Sequence, residues 1–224
     1  PADVLINGVI ESLLLEQGFT RYILYDPPQN RTVEEINIDA GGTVWNLLTQ
    51  LRDINANWEM FFDVDGVFTD GGILATLEGE LYRTFDAKDG FGLRMASMRG
   101  YKLGVITGGR SGSIPKRFLQ CGVKPEDVYL GSRDKIEDFE DFCRKYDLLP
   151  EEIMYFGDDL PDIPVMQVCG CGVAPADAVE EAIAAADFVS PKPGGKGCVR
   201  HAIEMVMKLQ GTWELDVQDY KKKF

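Results

Sequence analysis

From residue 58 onward the chain repeats one pattern: a short apolar run, a polar or glycine-rich stop, then an amphipathic stretch of helical length. Apolar runs at 60–62, 101–107, 128–130, 153–156, 171–174 and 187–190 alternate with helical stretches at 89–99, 112–121, 133–146, 161–168, 177–186 and 197–210. Repeated β-α units of this kind predict an α/β fold, a mostly parallel sheet with helices on both faces. Ligands of such sheets bind at the carboxyl ends of the strands, and the polar clusters of this chain fall there. One unit departs from the alternation. Residues 72–76 and 80–85 read as a hairpin closed through Glu78-Gly79.

The first 57 residues follow another pattern. Apolar positions at helical spacing over 3–17 precede two strands, 20–26 and 31–38, around Pro27-Pro28-Gln29-Asn30, and a helix over 43–54. This small α/β extension carries no chemical motif. The expected division is an N-terminal extension 1–57, a catalytic domain 58–212, and a tail 213–224 ending in Lys221-Lys222-Lys223-Phe224.

Charge narrows the partners. With 23 Lys and Arg against 37 Asp and Glu, the formal charge is −14. A nucleic-acid binder needs a basic stripe, and an anionic membrane repels such a chain, so neither is an expected partner. No apolar run approaches the roughly 18 residues of a membrane span, and Pro1-Ala2-Asp3 does not open a secretory signal. Five cysteines at spacings that fit no zinc pattern read as reduced thiols, so the expected location is cytoplasmic. The single histidine, His201, leaves no Ser-His-Asp triad or poly-His site. A metal here would need oxygen ligands, which points to Mg²⁺ or a similar hard cation.

Four clusters carry chemistry. The first apolar run ends in Asp63-Val64-Asp65-Gly66. One such carboxylate can attack an electrophile and help bind a metal, while the other handles a proton. The second run ends in Thr107-Gly108-Gly109-Arg110, where a hydroxyl and free N–H groups can hold a phosphoryl oxygen and Arg110 can add a forked donor. Lys135 opens a helix after the third run. The fourth run ends in Gly157-Asp158-Asp159-Leu160-Pro161-Asp162, three carboxylates in five residues that repel unless a cation or hydrogen bonds intervene. Brought to one sheet edge, Asp63 and Asp158 with the Val64 carbonyl would hold Mg²⁺, and Thr107 and Lys135 would bind phosphoryl oxygens.

This ordered set resembles the haloacid dehalogenase superfamily. Within it, the chain is similar to the capless branch of 3-deoxy-D-manno-octulosonate 8-phosphate (KDO 8-phosphate) phosphatases and their relatives. The finer likeness rests on Asp86-Ala-Lys-Asp-Gly-Phe-Gly (86–92), Ile106-Thr-Gly-Gly-Arg (106–110), Gly157-Asp-Asp-Leu-Pro-Asp-Ile-Pro-Val-Met (157–166) and Gly194-Gly-Lys-Gly-Cys-Val-Arg (194–200). It spans about residues 58–210. The resemblance implies a Rossmann-like core, a homotetramer, and a hairpin flap at 72–85 in place of a mobile cap. It implies an Mg²⁺-dependent phosphatase of a small phosphorylated sugar acid, KDO 8-phosphate first and nine-carbon analogues next. Asp63 would be the nucleophile and Asp65 the general acid and base. Asp158 would complete the metal ligands, with Asp65, Asp159 and Asp162 close in support. Arg110 would reach the sugar-acid carboxylate, in this branch of a neighbouring subunit's site. Lys88 and the 194–200 loop would lie on the substrate side.

Three departures stand against the resemblance. Asn57-Trp58-Glu59 precede the usual smooth apolar run, His201 stands where the family often has Glu, and residues 1–57 have no counterpart in the compact members. A phospho-signalling receiver domain uses similar groups, but its lysine comes last, whereas Lys135 precedes Gly157-Asp158-Asp159. A catalytically silent scaffold of the same fold is the remaining alternative.

Overall fold

The computed structural model describes residues 58–214. The expected extension, with its helices at 3–17 and 43–54 and its strands at 20–26 and 31–38, lies outside the described residues, as does the tail beyond 214.

Six parallel strands form one sheet in the order β5-β4-β1-β6-β7-β8. They are β1 (Glu59–Asp63), β4 (Leu103–Thr107), β5 (Val128–Leu130), β6 (Ile153–Phe156), β7 (Cys171–Ala174) and β8 (Phe188–Val189). Between β1 and β4 the chain makes a separate two-stranded hairpin, β2 (Leu74–Ala75) and β3 (Leu81–Tyr82). Helices α1 (Ala87–Met98), α2 (Ser113–Gln120), α3 (Lys135–Tyr146), α4 (Ile163–Met166), α5 (Glu180–Ala185) and α6 (Cys198–Leu209) cover the sheet.

Strand β1 is buried along its whole length between β4 and β6. A strand covered on both faces reads as an unbroken apolar run, and this explains Met60-Phe61-Phe62. Successive side chains then enter opposite layers. Phe61 joins Ile106, Phe139, Phe142 and Tyr155 in the layer of α3. Phe62 joins Phe68, Phe118, Phe156 and Val199 in the layer of α1, α2 and α6. Its ring stacks on Phe156 with centroids 4.5 Å apart. Gly104 on β4 lies against this aromatic wedge, because a Cβ there would come within 2.1 Å of the Phe61 ring.

Helix α3 shows the local logic. The Asp134 carboxylate accepts from the Ile136 N–H at 3.1 Å, which caps the first turn. Phe139, Phe142 and Cys143 form the buried stripe, and Asp147 ends the helix in the left-handed region at φ 54°. Two helices are shorter than the periodicity predicts. The stretch 161–168 splits into a 3₁₀ turn, Leu160–Asp162, and the short α4, because the Asp162 carboxylate turns back onto the Asp158 and Asp159 N–H groups. The stretch 177–186 starts only at Glu180, because Asp177 accepts from the Gly194 N–H at 2.7 Å instead of opening a helix.

The sheet order decides where chemistry sits. From β1 the chain winds outward through β4 and β5, then returns to β6 on the other side of β1. The carboxyl ends of β4, β1 and β6 are therefore neighbours at a topological switch point. Register pairs Asp63 with Ile106 and Phe62 with Phe156. No helix among the described residues is long and apolar enough to cross a membrane.

Candidate active site

Asp63 is the last residue of β1, and its side chain is buried. Lys135, the first residue of α3, reaches under it. Its Nζ lies 2.8 Å from Asp63 Oδ1 and 2.7 Å from Asp162 Oδ1. Asp162 is fully buried and saturated. Oδ1 accepts from Lys135 and from the Tyr155 hydroxyl at 2.5 Å, while Oδ2 accepts from the Asp158 and Asp159 N–H groups at 3.1 and 3.2 Å. Four donors fill the four acceptor positions of a carboxylate. Asp162 therefore braces the loop and the lysine and has no lone pair for a cation, although Asp63, Asp158 and Asp162 offer oxygens within 4.8 Å of one another.

Asp158 differs. Its Oδ1 is buried and takes no hydrogen bond among the described residues. Asp63 and Asp158 thus present oxygen donors to one point, and two carboxylates so close need a cation or a proton between them. A hard divalent ion such as Mg²⁺ fits this all-oxygen set. The approach is tight enough to demand glycine at 66, where φ is +89° and a Cβ would sit 1.9 Å from Asp158 Oδ2.

The expected carbonyl ligand does not fit. Val64 O accepts from the Phe68 N–H at 2.9 Å and the Thr69 N–H at 3.2 Å, which leaves it no lone pair for a metal. Asp65 is held by the flap. Arg83, just past β3, donates from Nε to Oδ1 at 2.6 Å and from Nη2 to Oδ2 at 2.9 Å. The Arg83 side chain is 2% exposed and that of Asp65 27%, so this fork is shielded and geometrically exacting.

Thr107 ends β4 with its Oγ1 accepting from the Gly109 N–H at 2.9 Å, and Gly108 stands exposed beside it. These groups line a cavity of about 690 Å³ that also includes Asp63, Asp65, Arg83, Lys135 and Asp158. Asp159 lines the rim and caps the 3₁₀ turn through Leu160 N–H at 2.8 Å. Of the expected substrate residues, Lys88 is exposed in the first turn of α1, and Arg110, expected to reach a neighbouring subunit's site, lies over Gly131; neither lines this chain's own cavity. The 194–200 loop also has a different place. Gly194 packs so closely on the 63–70 loop that a Cβ would fall 1.8 Å from Gly66 O, and Gly195 N–H donates to Val67 O at 2.9 Å. Buried Asp89 holds the loop's far end through the Gly197 and Arg200 N–H groups. The loop thus buttresses the loop after β1.

Sequence reasoning missed Arg83, Tyr155, Ser132 and Arg133. Tyr155 reads as one more core aromatic, and nothing in the spacing of a hairpin announces that Arg83 turns inward. Ser132 and Arg133 both line the cavity, and Ser132 Oγ is buried without a partner among the described residues.

The electrostatics fit a site built for a cation. Burial raises the Asp63 carboxyl well above its ordinary value, the Asp162 charge adds to this, and Lys135 opposes it. Asp158 is raised to about 7 by burial and by the Asp162 charge. Burial alone would lower Lys135, but the charges of Asp63 and Asp162 outweigh it and hold it above its ordinary value. Glu59, buried at the start of β1, is also raised to about 7, by burial.

Stability should therefore depend on pH and metal. Between about pH 4 and 7 the folded chain binds more protons at Asp158 and Glu59 than the unfolded chain, so stability falls as pH rises through 7. Metal-free protein is expected to melt higher at pH 6 than at pH 8, by about 2–4 °C for each kcal/mol of linkage. Added Mg²⁺ is expected to raise Tm more at pH 8, where its ligands need not lose a proton. Scanning calorimetry at both pH values checks this. A metal-free Tm that climbs with pH would contradict it.

Comparison with known proteins agrees with this geometry. A family model for haloacid dehalogenase-like hydrolases matches residues 126–203. Over 152 residues the chain is 36% identical to the 3-deoxy-D-manno-octulosonate 8-phosphate phosphatase of Escherichia coli strain K12, covering 68% of this chain and 80% of the relative. The crystal structure of the phosphatase of the same name from Yersinia pestis matches with TM-score 0.68 and 32% identity, over 73% of this chain and 88% of that one. The enzyme from Moraxella catarrhalis, solved in complex with magnesium ion, phosphate ion and KDO, matches with TM-score 0.70 and 28% identity, over 77% and 98%. By the four strand-end clusters, the sheet order and these likenesses, the chain belongs to the haloacid dehalogenase-like hydrolase family.

Proposed function

We propose that the protein is an Mg²⁺-dependent phosphatase that hydrolyses KDO 8-phosphate to KDO and phosphate. The observation that carries the reading is the convergence of buried Asp63, the Lys135 ammonium and the unsatisfied Asp158 oxygen at one strand-end edge. The substrate follows from the relatives named above, whose names specify that phosphate ester.

Asp63 attacks phosphorus in line and forms an aspartyl-phosphate as the ester oxygen departs. Asp65 protonates that leaving oxygen, then takes a proton from the water that hydrolyses the acyl phosphate. Lys135 offsets the charge on the phosphoryl oxygens, and the Thr107 hydroxyl with Gly108 holds them. Mg²⁺ held by Asp63 and Asp158 supplies further charge neutralisation at the phosphoryl group. Asp162 and Tyr155 keep Lys135 aimed. The test is a comparison of kcat/KM for KDO 8-phosphate, nine-carbon sugar-acid phosphates and hexose phosphates with Mg²⁺. KDO 8-phosphate is expected to lead; a flat profile, or hydrolysis of none, would overturn the assignment.

Arg83 orients the acid. Arg83→Ala is expected to lower kcat/KM for an alkyl phosphate by about 10²-fold. It should cost an activated aryl phosphate far less, since that leaving group departs unprotonated. A general loss of folding would reduce both alike.

The same reading takes residues 58–212 as the catalytic domain in a cytoplasmic homotetramer. Ile73, Leu74, Leu77, Leu81 and Tyr82 on the hairpin are exposed, an apolar surface that another copy would cover. Light scattering that gives a single-chain mass would count against the tetramer.

A further inference from the structure

We propose that Arg133 binds the substrate's carboxylate and so selects sugar-acid phosphates over neutral sugar phosphates. This rests on the phosphatase reading above. A sugar-acid phosphate brings two anionic ends into the cavity, and the machinery described so far neutralises only the phosphoryl end.

Three cationic side chains line the cavity: Arg83, Arg133 and Lys135. Two are committed. Lys135 spans Asp63 and Asp162, and both edges of the Arg83 fork grip Asp65. Arg133 is exposed and has no ion-pair or hydrogen-bond partner for its side chain among the described residues. An arginine left free in a cavity whose other cations are paired can give a carboxylate two parallel hydrogen bonds. The neighbouring Asp134 lies within the same turn but makes no ion pair with Arg133, its Oδ1 accepting from the Ile136 N–H at the start of α3.

Its place is also fixed relative to the reaction centre. The turn that carries it is tied to the phosphoryl-binding turn by Gly131 N–H to Gly109 O at 2.9 Å and Ser132 N–H to Thr107 O at 3.0 Å. Gly131 sits at φ +69° and Arg110 packs directly over it. Lys135, two residues beyond Arg133, reaches Asp63, while Arg133 lines the same cavity as an exposed side chain. The two ends of one ligand are thereby read from one short segment. A cavity of about 690 Å³ accommodates a molecule of this size.

The experiment measures kcat/KM for KDO 8-phosphate and for glucose 6-phosphate on the full chain with Mg²⁺, in wild type, Arg133→Gln, Arg133→Lys and Arg110→Gln, with circular dichroism melting as the check on folding. Arg133→Gln is expected to cut the ratio of the two values by about 10- to 100-fold, mainly through KM for the acid. Arg133→Lys, which keeps the charge without the fork, should recover part of the ratio. A folded Arg133→Gln protein that keeps the wild-type ratio overturns the proposal, and a collapse in Arg110→Gln alone assigns the carboxylate to that residue instead. A wild type without preference for KDO 8-phosphate fails the substrate reading itself, and the proposal with it.

Discussion

Asp63→Asn is expected to lower kcat by at least about 10⁴-fold with little loss of fold. An amide cannot attack phosphorus and contributes no charge to a cation. The same substitution is mild for folding. It removes a charge whose burial is costly, since desolvation raises the Asp63 carboxyl above its ordinary value, and the amide retains an oxygen to accept from Lys135. Its melting temperature in metal-free buffer at pH 8 is therefore expected to equal or exceed that of wild type. The gain on adding Mg²⁺ should shrink. Steady-state phosphate release and calorimetry together check this. Activity within tenfold of wild type would remove Asp63 from the role of nucleophile.

Loss of Lys135 has the opposite balance. The ammonium is the common partner of Asp63 and Asp162, and all three side chains are less than one-tenth exposed. Taking one partner out of a buried charge network costs about 3–5 kcal/mol, because the remaining charges lose their compensation. Lys135→Ala is expected to melt lower than wild type at pH 8, and the gap should narrow at pH 6, where protonation of Asp158 relieves the repulsion. Mg²⁺ should restore part of the stability. It should not restore activity, since a donor to the phosphoryl oxygens is gone, and kcat is expected to fall about 10²- to 10³-fold. Lys135→Arg keeps the charge and separates the two effects: stability near wild type with activity still low. A Lys135→Ala protein as active as wild type would contradict the assignment of the lysine to the phosphoryl group.

Both predictions use residues that a linear reading finds, and the reason is physical. Asp63, Thr107, Lys135 and Asp158 each stand where an apolar run stops or a helix begins, and sheet order alone brings those ends together. What escaped has a different origin. The pairing of Arg83 with Asp65 depends on how a hairpin with two-residue strands folds back, and such short strands fix no pattern in the sequence. The Val64 carbonyl was lost to a local backbone turn with Phe68 and Thr69, a hydrogen bond invisible to side-chain patterning. Tyr155 lies on a buried strand among aromatics, so its hydroxyl on Asp162 hides within an apolar run. The resemblance puts the 194–200 loop on the substrate side, yet its glycine at 194 serves a close backbone approach to Gly66. The acidic balance of the chain likewise gains a local meaning. At this edge the carboxylates prepare a place for a cation, and Lys135 and Arg83 keep the reaction centre fit for an anionic substrate.

The mechanism turns on a covalent phosphoryl group on Asp63. The most direct measurement is acid quenching during turnover with Mg²⁺, followed by peptide mass spectrometry, using wild type with KDO 8-phosphate and Asp65→Asn with an activated aryl phosphate, whose leaving group needs no proton, so that only the second step is slowed. One phosphoryl adduct is expected on the peptide containing Asp63, formed only with metal, accumulating in Asp65→Asn and absent in Asp63→Asn. Turnover with no adduct in either wild type or Asp65→Asn, or an adduct that persists in Asp63→Asn, would contradict it.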